Sequence, residues 1–456
     1  MSESPERLPL APVAESMMGL AMRPAIRITL LALTLAFLAY ASVRVVHHQR
    51  PHPSPFHDLN QYGDGDWGVY YRAGLAMRLR RPLYTLEHGP LLTFKNPPAV
   101  ALLIAPLSVL PVGLARWIWF VGDLLLLALL YRLAARVVFN RDDPPALRAV
   151  LIAGAVFLSL HYITDELFAG TTSLLYLLLT VGSFVWANED KPLRAGAALA
   201  LAVCLKVVPL AFLPWLALSR RPGRSLASFA VTLAILSLLP ALWVGPSRNF
   251  ELLRQWPRHL ANTEVHVQEL RPTNQSLNAM LTRLLTPGVP GLHRANIASI
   301  SPRAAHALWL AATCALGAAL YGWILLQRRK HRLDAAAVLS LLLLYMTLCN
   351  PLAWRYTYVA TGIPILYCLH TLARRPKATR LILALLAASY LLHFAPELLQ
   401  AFSARFWGAV ALAGAVMLSR RVKGSLTCDP SQSTEAAANG KISPAVLTPS
   451  ELDRPT

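Results

Sequence analysis

Asp64 and Asp66, separated by one glycine, sit in the stretch Asp64-Gly65-Asp66-Trp67-Gly68-Val69-Tyr70 and are the residues of this chain best suited to chemistry. Four readings fit them. Gly63, Gly65 and Gly68 match a dinucleotide glycine pattern, but no strand precedes them, so that reading is rejected. A D-x-D pair can hold a divalent cation against a phosphorylated sugar. A carboxylate immediately before the helical stretch Trp67–Leu79 can cap the free amides of a first turn. A carboxylate at a helix start can also serve as a general base, provided one oxygen stays clear of the cap. Asp66, Tyr70 and Ala73 share a face by the i, i+4, i+7 rule. The pattern therefore predicts an amphipathic helix lying along a surface with its acidic end at a substrate.

The other candidates are cations and amides. Lys206 lies inside an apolar run, where a charge costs about 2.5–3.5 kcal/mol at a helix centre; it either serves an anion, snorkels or pairs with an acid such as Glu166. Arg355, beside Trp354, offers a planar fork suited to phosphate oxygens. Arg271 precedes the turn Asn274-Gln275-Ser276, which is read as sugar-contacting amides or as a plain turn and is also a formal N-glycosylation tripeptide. Lys95 and Asn96 lie where Phe94-Lys95-Asn96-Pro97-Pro98 carries the chain back toward an apolar segment, and His161, Asp165 and Glu166 cluster at the end of another. Four histidines (His47, His48, His52, His57) stand close together, but the intervening prolines fix no ligand geometry, so no metal is expected there.

The elements that must carry these residues belong in lipid. Hydrophobic residues make up 55% of the 456 and charged residues only 14%, too little polar surface for a soluble globule. Apolar runs fall near 24–46, 113–137, 146–162, 170–187, 193–218, 224–245, 303–327, 334–349, 354–372, 381–395 and 397–419. With the short stretch 97–111 included they give an all-α, polytopic chain of about 12 crossings. The run 193–218 is broken at Pro209 and reads as one tilted helix or a tight hairpin. Arg132, Arg136, Arg141 and Arg148 favour a cytoplasmic 138–148 loop, which makes 97–111 re-entrant; the alternative puts that loop outside.

Arg220-Arg221-Pro222-Gly223-Arg224, Arg328-Arg329-Lys330-His331-Arg332, Arg374-Arg375-Pro376-Lys377 and Arg420-Arg421-Val422-Lys423 account for the formal charge of +20 as cytoplasmic loops, so no nucleic acid is implied. The organisation is then a cytoplasmic tail 1–23, a membrane domain 24–419 with outer loops 47–96 and 246–302, and a disordered cytoplasmic tail 420–456. Arg23, Arg27 and Ala39-Tyr40-Ala41 imitate a signal peptide, but apolar character continues to Val46, which favours a retained first helix. The five cysteines show neither pairing nor metal-ligand spacing.

Several landmarks stand together in order. Asp66-Trp67-Gly68-Val69-Tyr70-Tyr71-Arg72-Ala73 is followed by Pro82-Leu83-Tyr84, Phe94 to Pro98 and Ala105-Pro106-Leu107-Ser108-Val109-Leu110-Pro111. Then come Lys206-Val207-Val208-Pro209, Asn274-Gln275-Ser276-Leu277 with Arg283, and Asn350-Pro351-Leu352-Ala353-Trp354. This series resembles glycosyltransferase family 87, polyprenyl-phosphate-mannose-dependent enzymes of the GT-C fold. The family shows histidines after that tryptophan where this chain has Arg355-Tyr356, a Gly-Gln pair where it has Gly170-Thr171, and an aromatic where it has Asn96.

The resemblance implies an inverting transferase in the inner membrane, its site facing the periplasm or cell exterior. It would move mannose or a similar sugar from a polyprenyl-phosphate donor to a lipid or glycan acceptor, among membrane lipids and without a cofactor. Asp66 matches the catalytic aspartate. Asp64, Tyr70, Lys95, Asn96, Lys206, Arg271, Asn274, Gln275, Trp354 and Arg355 are then the substrate-binding set, with Asp64 as support rather than metal ligand. Rival classes are a flippase or transporter of lipid-linked sugar and a glycan polymerase or ligase.

Overall fold

The computed structural model describes residues 43, 66–84, 93–262, 271–287, 296–374 and 379–424. The segment 24–45, the four clustered histidines, Asp64 and the tail beyond residue 424 lie outside the described residues. Within them the chain is helical, with no strand. Helix α1 spans Asp66–Arg78, and α2 (Pro98–Ile104) runs into a 3-10 turn at Ala105–Val109. There follow α3 (Val112–Val138), α4 (Pro145–Leu158), α5 (Leu160–Ala169), α6 (Ser173–Asn188) and α7 (Pro192–Leu205). After a 3-10 turn at Val208–Phe212 come α8 (Leu213–Ala217), α9 (Pro222–Leu238), α10 (Ala241–Val244) and α11 (Pro246–Asn262). The remainder is α12 (Leu277–Leu285), α13 (Pro302–Arg329), α14 (Ala335–Leu348), a 3-10 turn at Arg355–Thr361, α15 (Gly362–Arg374), α16 (Thr379–His393), α17 (Glu397–Ala401) and α18 (Ala404–Gly424).

Four segments among the described residues are long and apolar enough to cross a bilayer: Val112–Val138, Pro145–Ala169, Pro222–Val244 and Pro302–Arg329. Their outward faces are apolar, with Leu125, Phe157, Val231 and Leu316 all exposed, as lipid contact requires. The shorter α6, α7 and α14 form the interior, and α14 is buried on nearly every side. The run 193–218 is broken ahead of Pro209, as that residue requires, because a proline has no N–H to offer the Leu205 carbonyl four residues back. Helix α7 ends at Leu205, Lys206 takes up extended backbone, and a 3-10 turn that contains Pro209 begins at Val208 and runs directly into α8.

The stretch 97–111 is shorter, as helix, than the four long segments. At 1.5 Å per residue the seven residues of α2 extend about 10 Å, against about 30 Å of hydrocarbon. Both of its ends stay with α1. A Cβ on Gly74 would lie 3.0 Å from the Ile104 backbone, and the Tyr71 hydroxyl donates to the Leu110 carbonyl at 2.8 Å. The 139–144 turn lies at the far end of α3 from α1. The basic clusters gather at that far end: Arg136 pairs with Glu189, Arg221 with Asp190, and Arg374 with Asp143.

Helix α1 departs from the expected surface-lying amphipath. No residue from Asp66 to Arg78 is exposed, and Trp67, Val69, Tyr71, Ala73 and Met77 are buried on several sides. The reason is local composition: Gly68, Ala73 and Gly74 have little side chain to hold neighbours away, so α2 and α3 close against the helix. Trp67 and Tyr71 pack with Ala115 and Trp119.

Candidate active site

Two fixed points hold α1, and a third holds the strip at Lys95 beside it. Arg116 of α3 donates to the Phe168 carbonyl at 3.0 Å and to that of Leu167, and its guanidinium lies over the Trp67 ring at 5.8 Å. It thereby caps the C-terminal carbonyls of α5 while seating the first turn of α1. Gly170 ends α5 at φ +64°, and a Cβ there would stand 2.9 Å from the Arg116 guanidinium, so this position needs glycine twice over. Trp243, at the end of the Pro222–Val244 segment, donates to the Met77 carbonyl at 3.1 Å, and from the second outer segment Trp256 of α11 donates to the Lys95 carbonyl at 2.9 Å. The two outer segments predicted from the sequence therefore meet around α1.

Asp66 opens α1 and is only partly exposed. Its carboxyl receives a hydrogen bond from the Tyr356 hydroxyl, so it is more than a cap for its own helix. Lys206 and Lys95 are near enough to act on it electrostatically. Burial pushes Asp66 above the usual carboxylate range; the Tyr356 hydrogen bond and the two ammonium groups oppose that rise without cancelling it. A carboxylate of raised basicity in a half-buried residue at a helix start is suited to accept a proton.

The surrounding side chains form a graded polar wall. Tyr70 lies within 3.3 Å of the Thr172 hydroxyl, and its ring meets Phe94 edge-on at 6.4 Å. Lys206, at the end of α7, holds its ammonium 5.5 Å from the Tyr176 ring centroid and within electrostatic reach of both Glu166 and Asp66. No direct ion pair joins Lys206 to Glu166 among the described residues. Glu166 is buried and takes its hydrogen bonds from the Thr171 hydroxyl at 2.6 Å and the Ser173 amide at 3.0 Å. Asn96 donates to the Leu205 carbonyl, and the Tyr84 hydroxyl donates to the Asn96 carbonyl at 2.9 Å, tying the 93–97 strip to the end of α7 beside Lys206. Asp66, Tyr70, Lys95, Asn96 and Lys206 are thus brought to one place.

The other expected contacts divide. Asn274 and Gln275 are fully buried, which corrects their reading as sugar-contacting amides and removes Asn274 as a glycosylation acceptor. Asn274 Oδ1 accepts from the Ala353 amide at 3.0 Å, Gln275 N donates to the Ala353 carbonyl at 2.9 Å, and Gln275 Nε2 reaches the Gln400 carbonyl at 2.7 Å. These backbone bonds answer donors and acceptors that a helix break would otherwise strand. Ser276 caps α12 by accepting from the Ala279 amide at 3.0 Å, so the turn reading holds. Arg283, buried, clamps the Arg271 and Asn274 carbonyls at 2.9 and 2.6 Å.

The 271–276 turn therefore acts on the site indirectly, by fixing the 350–356 strip. Trp354 is partly buried at the start of the 3-10 turn that presents Arg355 and Tyr356. Arg271 is partly buried, its Nε without a hydrogen-bond partner among the described residues. Arg355 pairs with Asp165 at 2.8 Å. Tyr356 was not foreseen as a functional residue; the only signal for it was that it stands where related sequences carry histidine.

Comparison with known proteins bears on the family and not on these side chains. The family model for glycosyltransferase family 87 matches residues 94–351, more than half of the chain. That match begins after α1 and stops before Trp354, so Asp66, Arg355 and Tyr356 stand on the geometry above. No curated protein and no solved structure matches the chain.

Proposed function

The chain belongs to glycosyltransferase family 87 and is a membrane glycosyltransferase, and we propose that it transfers a sugar, mannose in the first instance, from a polyprenyl phosphate to a hydroxyl of a lipid or glycan acceptor. The GT-C fold and the full set of about 12 crossings belong to the same proposal. The observation that carries it is the Asp66 carboxyl at the start of α1, of raised basicity, set within the field of Lys206 and Lys95.

The acceptor hydroxyl attacks the anomeric carbon while Asp66 takes its proton. The bond from that carbon to the phosphate oxygen breaks, and polyprenyl phosphate leaves with the bonding pair. A phosphate monoester leaves without a general acid, so one carboxylate suffices. Lys206 and Lys95 stabilise the charge that grows on the departing phosphate. A single displacement inverts the anomeric configuration, as in inverting glycosidases. The basic clusters at the opposite end support a cytoplasmic position for that end by the positive-inside rule, with the Asp66 end open to the outer face of the cytoplasmic membrane. No cofactor takes part in this scheme.

The test is transfer in detergent from polyprenyl-phosphate mannose to a panel of lipid and sugar acceptors, wild type against Asp66→Asn, each with and without chelator. New glycoside formed by the wild type alone supports the reading. Full activity in Asp66→Asn removes the base, and chelator sensitivity revives a metal at the Asp64–Asp66 pair.

A further inference from the structure

Asp165 and Glu166 are consecutive on α5, and Arg355 and Tyr356 are consecutive on the facing 3-10 turn. Neighbouring residues on such helices point about 100–120° apart, so the two elements send one side chain each into two adjoining compartments. Glu166 and Tyr356 belong with Asp66 and Lys206. Asp165 and Arg355 belong to a second knot with His161, Tyr162, His393 and Arg405.

Among the described residues, that second knot leaves several polar atoms unanswered, Asp165 Oδ2 on the acceptor side included. Arg355 meets Asp165 Oδ1 at 2.8 Å, and His161 Nε2 stands 3.9 Å from Oδ2. Arg405, buried at the start of α18, donates through Nε to the His393 carbonyl at 3.1 Å and lies within electrostatic reach of Asp165, Tyr162 and Arg355. The Tyr162 and His393 rings meet edge-on at 5.3 Å. Both residues are over nine-tenths buried, yet the Tyr162 hydroxyl and His393 Nε2 have no hydrogen-bond partner among the described residues. Two guanidinium groups face one carboxylate, leaving a positive charge uncancelled. Unsatisfied buried polar atoms are costly unless something else satisfies them.

We propose that this knot is a second anion site, which receives a phosphoryl group of one of the two substrates and in which Asp165 holds Arg355 in the phosphate's place until the ligand arrives. The inference rests on the transferase reading above for the nature of the substrates. It adds a compartment separate from the Lys206 side. Arg355, 45% exposed at its side chain, can turn from Asp165 to a ligand without being unburied. Arg405 and the Tyr162 hydroxyl supply further donors from behind.

The test is equilibrium binding in detergent, which needs no turnover, of three probes: inorganic phosphate, a short-chain polyprenyl phosphate and phosphatidylglycerol. Wild type is compared with Arg355→Gln and Asp165→Asn, with thermal unfolding recorded for each. If Arg355 contacts the phosphoryl group, Arg355→Gln weakens binding about tenfold, the scale of one charge-assisted hydrogen bond. Asp165→Asn removes the internal competitor and strengthens the same binding. A response confined to the polyprenyl phosphate identifies the donor's phosphate, and a response of phosphatidylglycerol identifies an anionic acceptor head group. An ordinary structural ion pair predicts something else: both substitutions lower the unfolding temperature and neither changes binding of any probe. That result overturns the proposal, and the transfer assay with Asp66→Asn still stands or falls separately.

Discussion

The two ends of the helix bundle each bury a carboxylate among cations, and they use it in opposite ways. Asp143, in the turn between α3 and α4, has a fully buried side chain with every direction answered. His370 Nε2 lies 2.9 Å from it, Arg374 Nε donates at 3.0 Å, and the Asn140 amide donates at 2.7 Å. Burial alone would raise its pKa, but these bonds from His370, Arg374 and Asn140 together hold it well below the usual carboxylate range. Asp66 has one hydrogen bond from Tyr356 and two ammonium groups acting at a distance, and burial wins. The clasp is satisfied and inert, while the carboxylate at α1 is left under-satisfied and basic. Perturbed groups of that kind concentrate at functional sites, because direct pairing would spend the basicity that a catalyst needs.

Substitution by asparagine should separate the two carboxylates. Asp66→Asn is expected to lower transfer by about 10²–10⁴-fold, the range for loss of a general base, read as initial rate at saturating donor. Its stability should move the other way. A folded pKa raised above the unfolded value means that the folded chain holds the proton more tightly, so stability falls as pH rises through that window. At neutral pH the neutral amide escapes this penalty, and Asp66→Asn should unfold at the same temperature as wild type or higher. A marked fall in its unfolding temperature would show that Asp66 is structural.

Asp143→Asn is the counterpart, expected to cost about 3–5 kcal/mol because it leaves buried partners uncompensated. Here the folded pKa is depressed, so the contribution of Asp143 is present above the unfolded carboxylate pKa and fades as pH falls through the folded one. The wild-type advantage over Asp143→Asn in thermal unfolding should therefore shrink toward acid pH. Transfer per folded molecule should stay near wild type.

The sequence made Asp66 conspicuous because a carboxylate beside glycines at a helix start is rare in so apolar a chain. It also located the apolar segments, since lipid-facing helices show themselves in composition. Burial of α1 was not legible, because it depends on α2 and α3 approaching small residues at 68, 73 and 74. The interruption at Lys206 follows from Pro209, which leaves the Leu205 carbonyl without a helical donor; the tertiary partner that answers it, the Asn96 amide, was not legible. Asn274 and Gln275 were misread for a related reason. An amide that holds backbone and an amide that holds sugar look alike in sequence, and only the strip at Ala353 tells them apart.

Gly170→Ala probes the scaffold between the two ends with a smaller effect. Left-handed backbone costs a non-glycine residue about 1–2 kcal/mol, and the Cβ would also press on the Arg116 guanidinium. The expected result is a lower unfolding temperature together with reduced transfer, since Arg116 seats both α5 and the first turn of α1. Loss of stability with unchanged specific activity would mean that Arg116 does not transmit position to Asp66.

Tyr356→Phe makes the smallest change and asks the sharpest question, because it moves Asp66 further from the condition of Asp143 without touching its charge. The hydroxyl bonds to the carboxylate and favours its ionised form, so its loss raises the pKa of Asp66 again. A general base must be deprotonated to work. The rate therefore falls as pH drops through that pKa, and the acid limb of kcat/KM should shift to higher pH in Tyr356→Phe. Well above the limb the variant should retain most of its activity, or exceed wild type if greater basicity outweighs lost orientation. A uniform loss at every pH would assign Tyr356 to orienting Asp66 rather than tuning it. An unmoved limb together with full activity would separate Tyr356 from the base altogether.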